Sequence, residues 1–299
     1  MRPCAEQYIL IPASYCSDTM TKQPTMEELQ AKMMELQMKY AANPTSENML
    51  KMQEEMAILS QQMSGAYVQM AGADGFDESD LLGYSEEEIE QFIRDHPVPA
   101  DKEKYLPIGA LLIITHDEPW QTIISMAEKD YWSDVLKEGW GIKNITEGKK
   151  MLTSLLEGRH NTKFGEDFRK FKAGKPNKLD EESIENYEET MECLKEYLPV
   201  LLPFAQKCEN IYAWDLERTG YLARIYLNMG WLNDTETYEW LDKASKIIKK
   251  EYPGWNEYIA AVLVGRAVAY SFDDIVVAAA EELLTSGKET LEKHPVGRL

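Results

Sequence analysis

An all-α protein is predicted by three observations on this chain. Apolar residues recur at steps of three and four along most of its length, N-cap residues and Gly or Pro punctuate those stretches at helix-length intervals, and no pair of alternating runs is available to build a sheet. Leu111 to Thr115 alone reads as a short strand, and it has no visible partner. The expected architecture is a compact multi-helix domain over 106–299, preceded by a Met-rich helical hairpin over 26–70 and an acidic connector over 71–105. Residues 1–25, broken by Pro3, Pro12 and Pro24, read as a poorly ordered leader.

The hairpin rests on two matching seams. Met26, Leu29, Met33, Leu36 and Tyr40 step by three and four, and Met49, Met52, Met56, Leu59 and Met63 repeat the pattern after Asn43-Pro44-Thr45-Ser46, with Ser46 as N-cap. Arms this short are marginal alone, so the seam needs something to rest on: the body, a twin arm in a homodimer, or a peptide that a Met-rich surface accommodates. In the connector, acidic residues far outnumber basic ones; Ser85 and Glu88 form a capping box for a helix through Ile89, Phe92 and Ile93, stopped at His96-Pro97.

All seven Trp lie in the body. Asp117 before Glu118-Pro119 predicts a helix carrying Trp120, Ile124, Ala127, Tyr131 and Val135 and ending at Gly139. A second helix over 146–157 closes at Gly158, and Phe164, Phe168 and Phe171 mark a third before Gly174. Asp180 or Ser183 opens a fourth, with Ile184, Tyr187, Met191 and Leu194 inward. Pro199 and Pro203 bend the chain into a helix with Ile211, Trp214, Tyr221, Leu222, Ile225 and Met229 on one face. Asn233 and Glu236 cap the next, Lys249 and Lys250 complement the negative end of its dipole, and helices over 255–270 and 273–286 follow.

The net charge of −20 argues against a nucleic-acid backbone or an anionic membrane surface, because phosphate contacts need clustered Lys and Arg. It is compatible with a basic protein partner, and solubility, which needs no partner, is the simpler explanation. The four cysteines lack metal-ligand or disulfide spacing, so no metal or cofactor is expected, and the thiols read as reduced in a cytoplasm. No apolar run approaches membrane-spanning length.

The functional question lies in misplaced charges. Asp215 and Arg218 fall in the middle of the Trp214 helix's apolar face, and Arg266 projects among Ile259, Val262, Leu263 and Tyr270 on a helix otherwise rich in Ala and Val. A buried guanidinium keeps its charge and must find acceptors. Asp215 is the expected partner of Arg266, with Arg218 competing for it one turn along. One acid for two bases leaves a positive surplus, to be met by Glu157, Asp134, a helix C-terminus or an anionic ligand. His160, in Gly158-Arg159-His160 just after a helix end, is placed to turn its tip inward. A His, Asp and Arg cluster is compatible with acid–base work or phosphate handling, yet no nucleophile elbow, phosphate-cradling Gly loop or zinc-binding helix accompanies it.

The order Trp140-Gly141-Ile142, Gly158-Arg159-His160, Ala213-Trp214-Asp215 with Arg218, Leu222 and Gly230, then Trp255 and Gly265-Arg266 resembles the bacterial family catalogued as domain of unknown function 1266. The resemblance covers roughly 115–272 and implies a cytoplasmic bacterial protein with a helical domain. It brings no activity with it. The residues it singles out are Trp140, Arg159, His160, Trp214, Asp215, Arg218 and Arg266, nearly the set that the helix-face argument selects. Two functions are expected from all this. The first is a non-catalytic interaction module whose cluster braces the fold and whose surface takes a protein, such as a basic toxin to be neutralised. The alternative is a small-anion binder or enzyme working through Arg218, Arg266 and His160.

Overall fold

In the computed structural model the described residues are Lys39 and 84–299, so the leader, the Met-rich hairpin and the first part of the acidic connector lie outside them. Ser85 opens helix α1 (Glu86–Asp95) with both halves of the capping box that its spacing predicts. A 3-10 turn (Glu103–Tyr105) leads to α2 (Ala110–Ile114), then α3 (Lys129–Asp134), which continues into a π-helical turn (Val135–Gly139). Next come α4 (Ile145–Leu156), α5 (Arg159–Lys172), α6 (Glu181–Tyr197), α7 (Leu202–Lys207) and α8 (Tyr212–Asn228). The chain closes with α9 (Asp234–Glu251), α10 (Trp255–Ala269), α11 (Asp274–Thr285), α12 (Lys288–Lys293) and a 3-10 turn (Val296–Arg298). Among the described residues there is no strand.

Local chemistry sets most of these boundaries. Asn144, Asp180 and Asn233 each accept a backbone N–H three residues on, at the starts of α4, α6 and α9. Gly158, at φ +74°, ends α4 in the left-handed conformation and serves at once as the N-cap of α5. Having no side chain, it leaves the first amides of α5 to be satisfied from elsewhere.

α8 is the hub. Every residue from Ala213 to Tyr226 is buried, and the helix packs against α2, α4, α5, α9 and α10. The amphipathic helix expected here is therefore enclosed on all sides, like its neighbour α10. Its closest contact is backbone to backbone. A methyl group on Gly220 would stand 2.4 Å from the carbonyl oxygen of Ile108, and one on Gly109 2.3 Å from the amide of Tyr221. Only glycines let the start of α2 lie on α8 at that separation.

Two expectations are corrected. The supposed strand is α2, because the Glu217 carboxylate on α8 accepts the amides of Gly109 (3.0 Å), Leu111 (2.8 Å) and Leu112 (3.3 Å), capping a helix across the core. The long helix expected from Asp117 to Gly139 is loop until Lys129. There the buried Glu118 accepts the amides of Met126 and Ala127, both at 2.7 Å, and holds a turn where the periodicity suggests helix. Asp117 stands at φ +55°, which also breaks a helix.

Leu82–Leu299 form one compact unit, so α1 belongs to the body although its sequence reads as connector. No helix among the described residues is long and apolar enough to cross a membrane. Nor do the described His, Cys, Asp and Glu residues gather in threes suited to a metal ion, and Cys193 and Cys208 are free thiols.

Candidate functional site

Asp215 is fully buried on the first turn of α8 and faces the start of α5. Its carboxylate accepts the amides of His160 (3.0 and 3.1 Å) and Asn161 (3.0 Å), filling the place that Gly158 leaves empty. The same carboxylate takes His160 Nδ1 at 2.6 Å. With Nδ1–H donated to Asp215, the imidazole presents Nε2 as its acceptor. That nitrogen lies 3.0 Å from the hydroxyl of Tyr270, the residue that ends α10.

Arg218, one turn beyond Asp215, meets the same hydroxyl from the other side, with Nη1 2.6 Å from Tyr270 Oη. Its Nη1 is nearly equidistant from the two nitrogens of His160, at 3.2 and 3.4 Å, so it lies along neither lone pair and leaves Nε2 to the tyrosine. The guanidinium is stacked over Trp140 (4.2 Å to the ring centroid), with Tyr270 at 5.0 Å and Trp214 at 5.5 Å. It is 8% exposed and has no carboxylate within ion-pair distance among the described residues. Burial pulls this guanidinium below its ordinary value, opposed by Tyr270 and Asp215 and reinforced by the positive charge of Arg159. Arg159 itself is exposed, with Nη1 3.6 Å from Met151 Sδ. The Trp214 indole N–H is buried without an acceptor.

Arg266 stands apart from the expected arrangement. It pairs with Asp273 and donates to the Ser271 carbonyl, in the loop that follows its own helix, and it lies 6.0 Å from the Trp214 ring. The predicted Arg266–Asp215 pair does not form, because Arg266 occupies the last turn of α10, where the chain itself returns an acid within reach. The predicted contest between Arg218 and Arg266 for Asp215 is also corrected: that carboxylate is used up by amides and an imidazole. Glu157 and Asp134 are exposed and do not reach Arg218. Thus Asp215, His160, Arg218, Trp140 and Trp214 come together, with Arg159 at the rim and Arg266 beside them.

Tyr270 is the member that sequence reasoning placed wrongly, as one more apolar residue of α10. It is 48% exposed and turns its hydroxyl back onto the cluster. Two further buried charges on α8 were missed. Glu217 also accepts the Tyr258 hydroxyl (2.9 Å); burial pushes its carboxyl up, while the amides of α2 pull it back. Arg224 donates to the carbonyls of Trp120 (3.2 Å) and Leu106, and burial pulls it down to about 10. The signal was available: Glu217, Gly220 and Arg224 recur at helical spacing on a second face of α8, which a single-face reading treats as solvent-exposed.

A family model described as "Protein of unknown function (DUF1266)" matches residues 135–295, more than half of the chain. The chain belongs to this family. The DUF1266 match begins at the π-helical turn and reaches the end of α12, so every cluster residue, Tyr270 included, lies inside it. α1, α2 and Glu118 lie before it, which puts the partner of Glu217's cap outside the matched span. No curated protein and no solved structure was found to match the chain.

Proposed function

We propose that this protein binds a small anion at the cluster formed by Arg218, Arg159, His160, Tyr270, Trp140 and Trp214. The observation that carries the reading is that Arg218 is buried while its charge meets only a phenol, an imidazole and aromatic faces. An unpaired buried ion costs several kcal/mol, a cost that an anionic ligand would offset. Arg159 at the rim adds a second positive charge, and the Trp214 N–H offers a donor with nothing to take it. In a chain of net charge −20, this local excess of cations is a departure from the background.

Thermal shift against inorganic phosphate, nucleotides and carboxylates tests it. A ligand at one hundred times its dissociation constant adds about 2.7 kcal/mol. For a domain of this size that raises Tm by about 5–10 °C. Arg218→Met abolishes the shift under this reading. A flat response across all three classes overturns it.

A second reading, a non-catalytic module that binds and neutralises a basic protein, is supported by the net charge alone. Capture of a basic partner that weakens as salt rises would favour it; capture insensitive to salt would count against it. Both readings assume a bacterial cytoplasm, where Cys193 and Cys208 stay reduced.

A further inference from the structure

Beyond holding an anion, the cluster is arranged to activate a hydroxyl. We infer that Tyr270 is a nucleophile toward tetrahedral electrophiles of the phosphoryl or sulfonyl class, with His160 as its general base, Asp215 as the positioning residue for that base, and Arg218 as the cation that holds the developing phenolate. Three distances carry this. Asp215 Oδ1 fixes His160 Nδ1 at 2.6 Å, Nε2 faces the Tyr270 hydroxyl at 3.0 Å, and Arg218 Nη1 stands 2.6 Å from the same oxygen. The amides of His160 and Asn161 lock the carboxylate, at 3.0 Å for the shorter contact of each, so the imidazole is held from behind by a rigid helix start.

Arg218 Nη1 sits off both ring lone pairs, which leaves the in-plane lone pair of Nε2 for the hydroxyl proton. The tyrosine is the exposed end of this chain of groups, at 48%, whereas Asp215 and His160 are sealed behind it. The order of acid, imidazole and hydroxyl is the arrangement by which a weak nucleophile is activated, and a fixed cation beside the oxygen supplies the charge stabilisation that attack requires.

In the step itself, Tyr270 Oη attacks the electrophilic centre and forms an O–P or O–S bond. The bond to the leaving group breaks, and that group departs with its electron pair. The hydroxyl proton passes to His160 Nε2, and nothing is oxidised or reduced.

The test treats the full chain with benzenesulfonyl fluoride, from which fluoride leaves, and follows each tyrosine by peptide mass mapping. Tyr197, exposed at 63% on α6, is the internal reference. General-base assistance predicts that Tyr270 is labelled about 10²-fold faster than Tyr197. His160→Gln removes that advantage. Asp215→Asn also removes it while leaving the fold in place, because an Asn amide donates to Nδ1 and turns Nε2 into a donor. Equal labelling of Tyr270 and Tyr197 in the native wild type overturns the inference, as does an advantage that survives His160→Gln. The reagent is neutral and no anionic ligand is needed for labelling, so a protein that never binds phosphate still reports on Tyr270, and each failure is separately legible.

Discussion

Replacing Asp215 separates two physical accounts of the cluster. If the carboxylate neutralised buried arginines, Asn would be nearly as harmful as Ala, since both remove the charge. Its contacts instead are the amides of His160 and Asn161 and the imidazole Nδ1, all within 3.1 Å. Asp215→Ala strands these buried donors at the start of α5, each costing about 1–3 kcal/mol when unsatisfied, with some relief from water reaching the new cavity. We expect a loss of about 4 kcal/mol, a large part of a typical folding stability of about 5–15 kcal/mol. For a domain of this size Tm falls by about 8–16 °C. Asp215→Asn keeps an oxygen for the amides and, with the imidazole in its other tautomer, donates to Nδ1; its cost is about 1 kcal/mol. Urea unfolding monitored by far-ultraviolet circular dichroism and by tryptophan fluorescence measures both variants, with coincident transitions as the check on two-state behaviour. Equal losses for Asn and Ala, or an Ala variant within 1 kcal/mol of wild type, would refute the capping account.

Three other perturbations test the hub. Glu217→Ala removes the acceptor of three α2 amides and of the Tyr258 hydroxyl from a fully buried site, and should cost about 4 kcal/mol or more in urea unfolding; Glu217→Gln, which keeps one acceptor oxygen, should cost clearly less. Gly220→Ala drives a methyl into the Ile108 carbonyl at 2.4 Å, where only backbone movement relieves it, and should lower stability by about 3 kcal/mol, read as a fall in Tm. His116 lies between the hydroxyls of Tyr131 (2.6 Å) and Tyr221 (2.7 Å), and burial lowers its pKa, partly opposed by Asp117. Since the unfolded chain takes up this proton first, near pH 6.5, stability contributed by neutral His116 is present above that pH and declines as pH falls toward the depressed folded value. Urea midpoints between pH 7.5 and 5 should therefore drop more steeply for wild type than for His116→Gln, and parallel slopes would remove His116 from the account.

The family match gives these experiments a natural scope. Residues 135–295 carry the whole polar cluster, whereas the Gly109 contact and the α2 amides lie outside the match. Truncation before Leu82 should leave the cluster assembled, because the compact unit begins there. Truncation at the start of the match would strip the amide donors that Glu217 accepts and expose the Gly220 face of α8.

Periodicity and capping chemistry are local, so the sequence alone specified the all-α class, the capping boxes at Ser85 and Asn233, Asp180 as one of two candidate starts for α6, and the presence of an acid and a base on the inward side of α8. It also selected most of the cluster, since a charge set in an apolar stripe is visible without coordinates. Which groups meet which was decided only by the tertiary structure. Asp215 caps α5 because the chain reverses at Gly158 and supplies no cap of its own; Arg266 finds Asp273 because a loop brings it back; and Tyr270 closes over Arg218 because α10 ends there. Glu217 turned an apparent strand into a helix from more than a hundred residues away in sequence. Hydrogen-bond donors left over at one helix end are satisfied by whatever acceptor the fold delivers, and no window of neighbouring residues contains that choice.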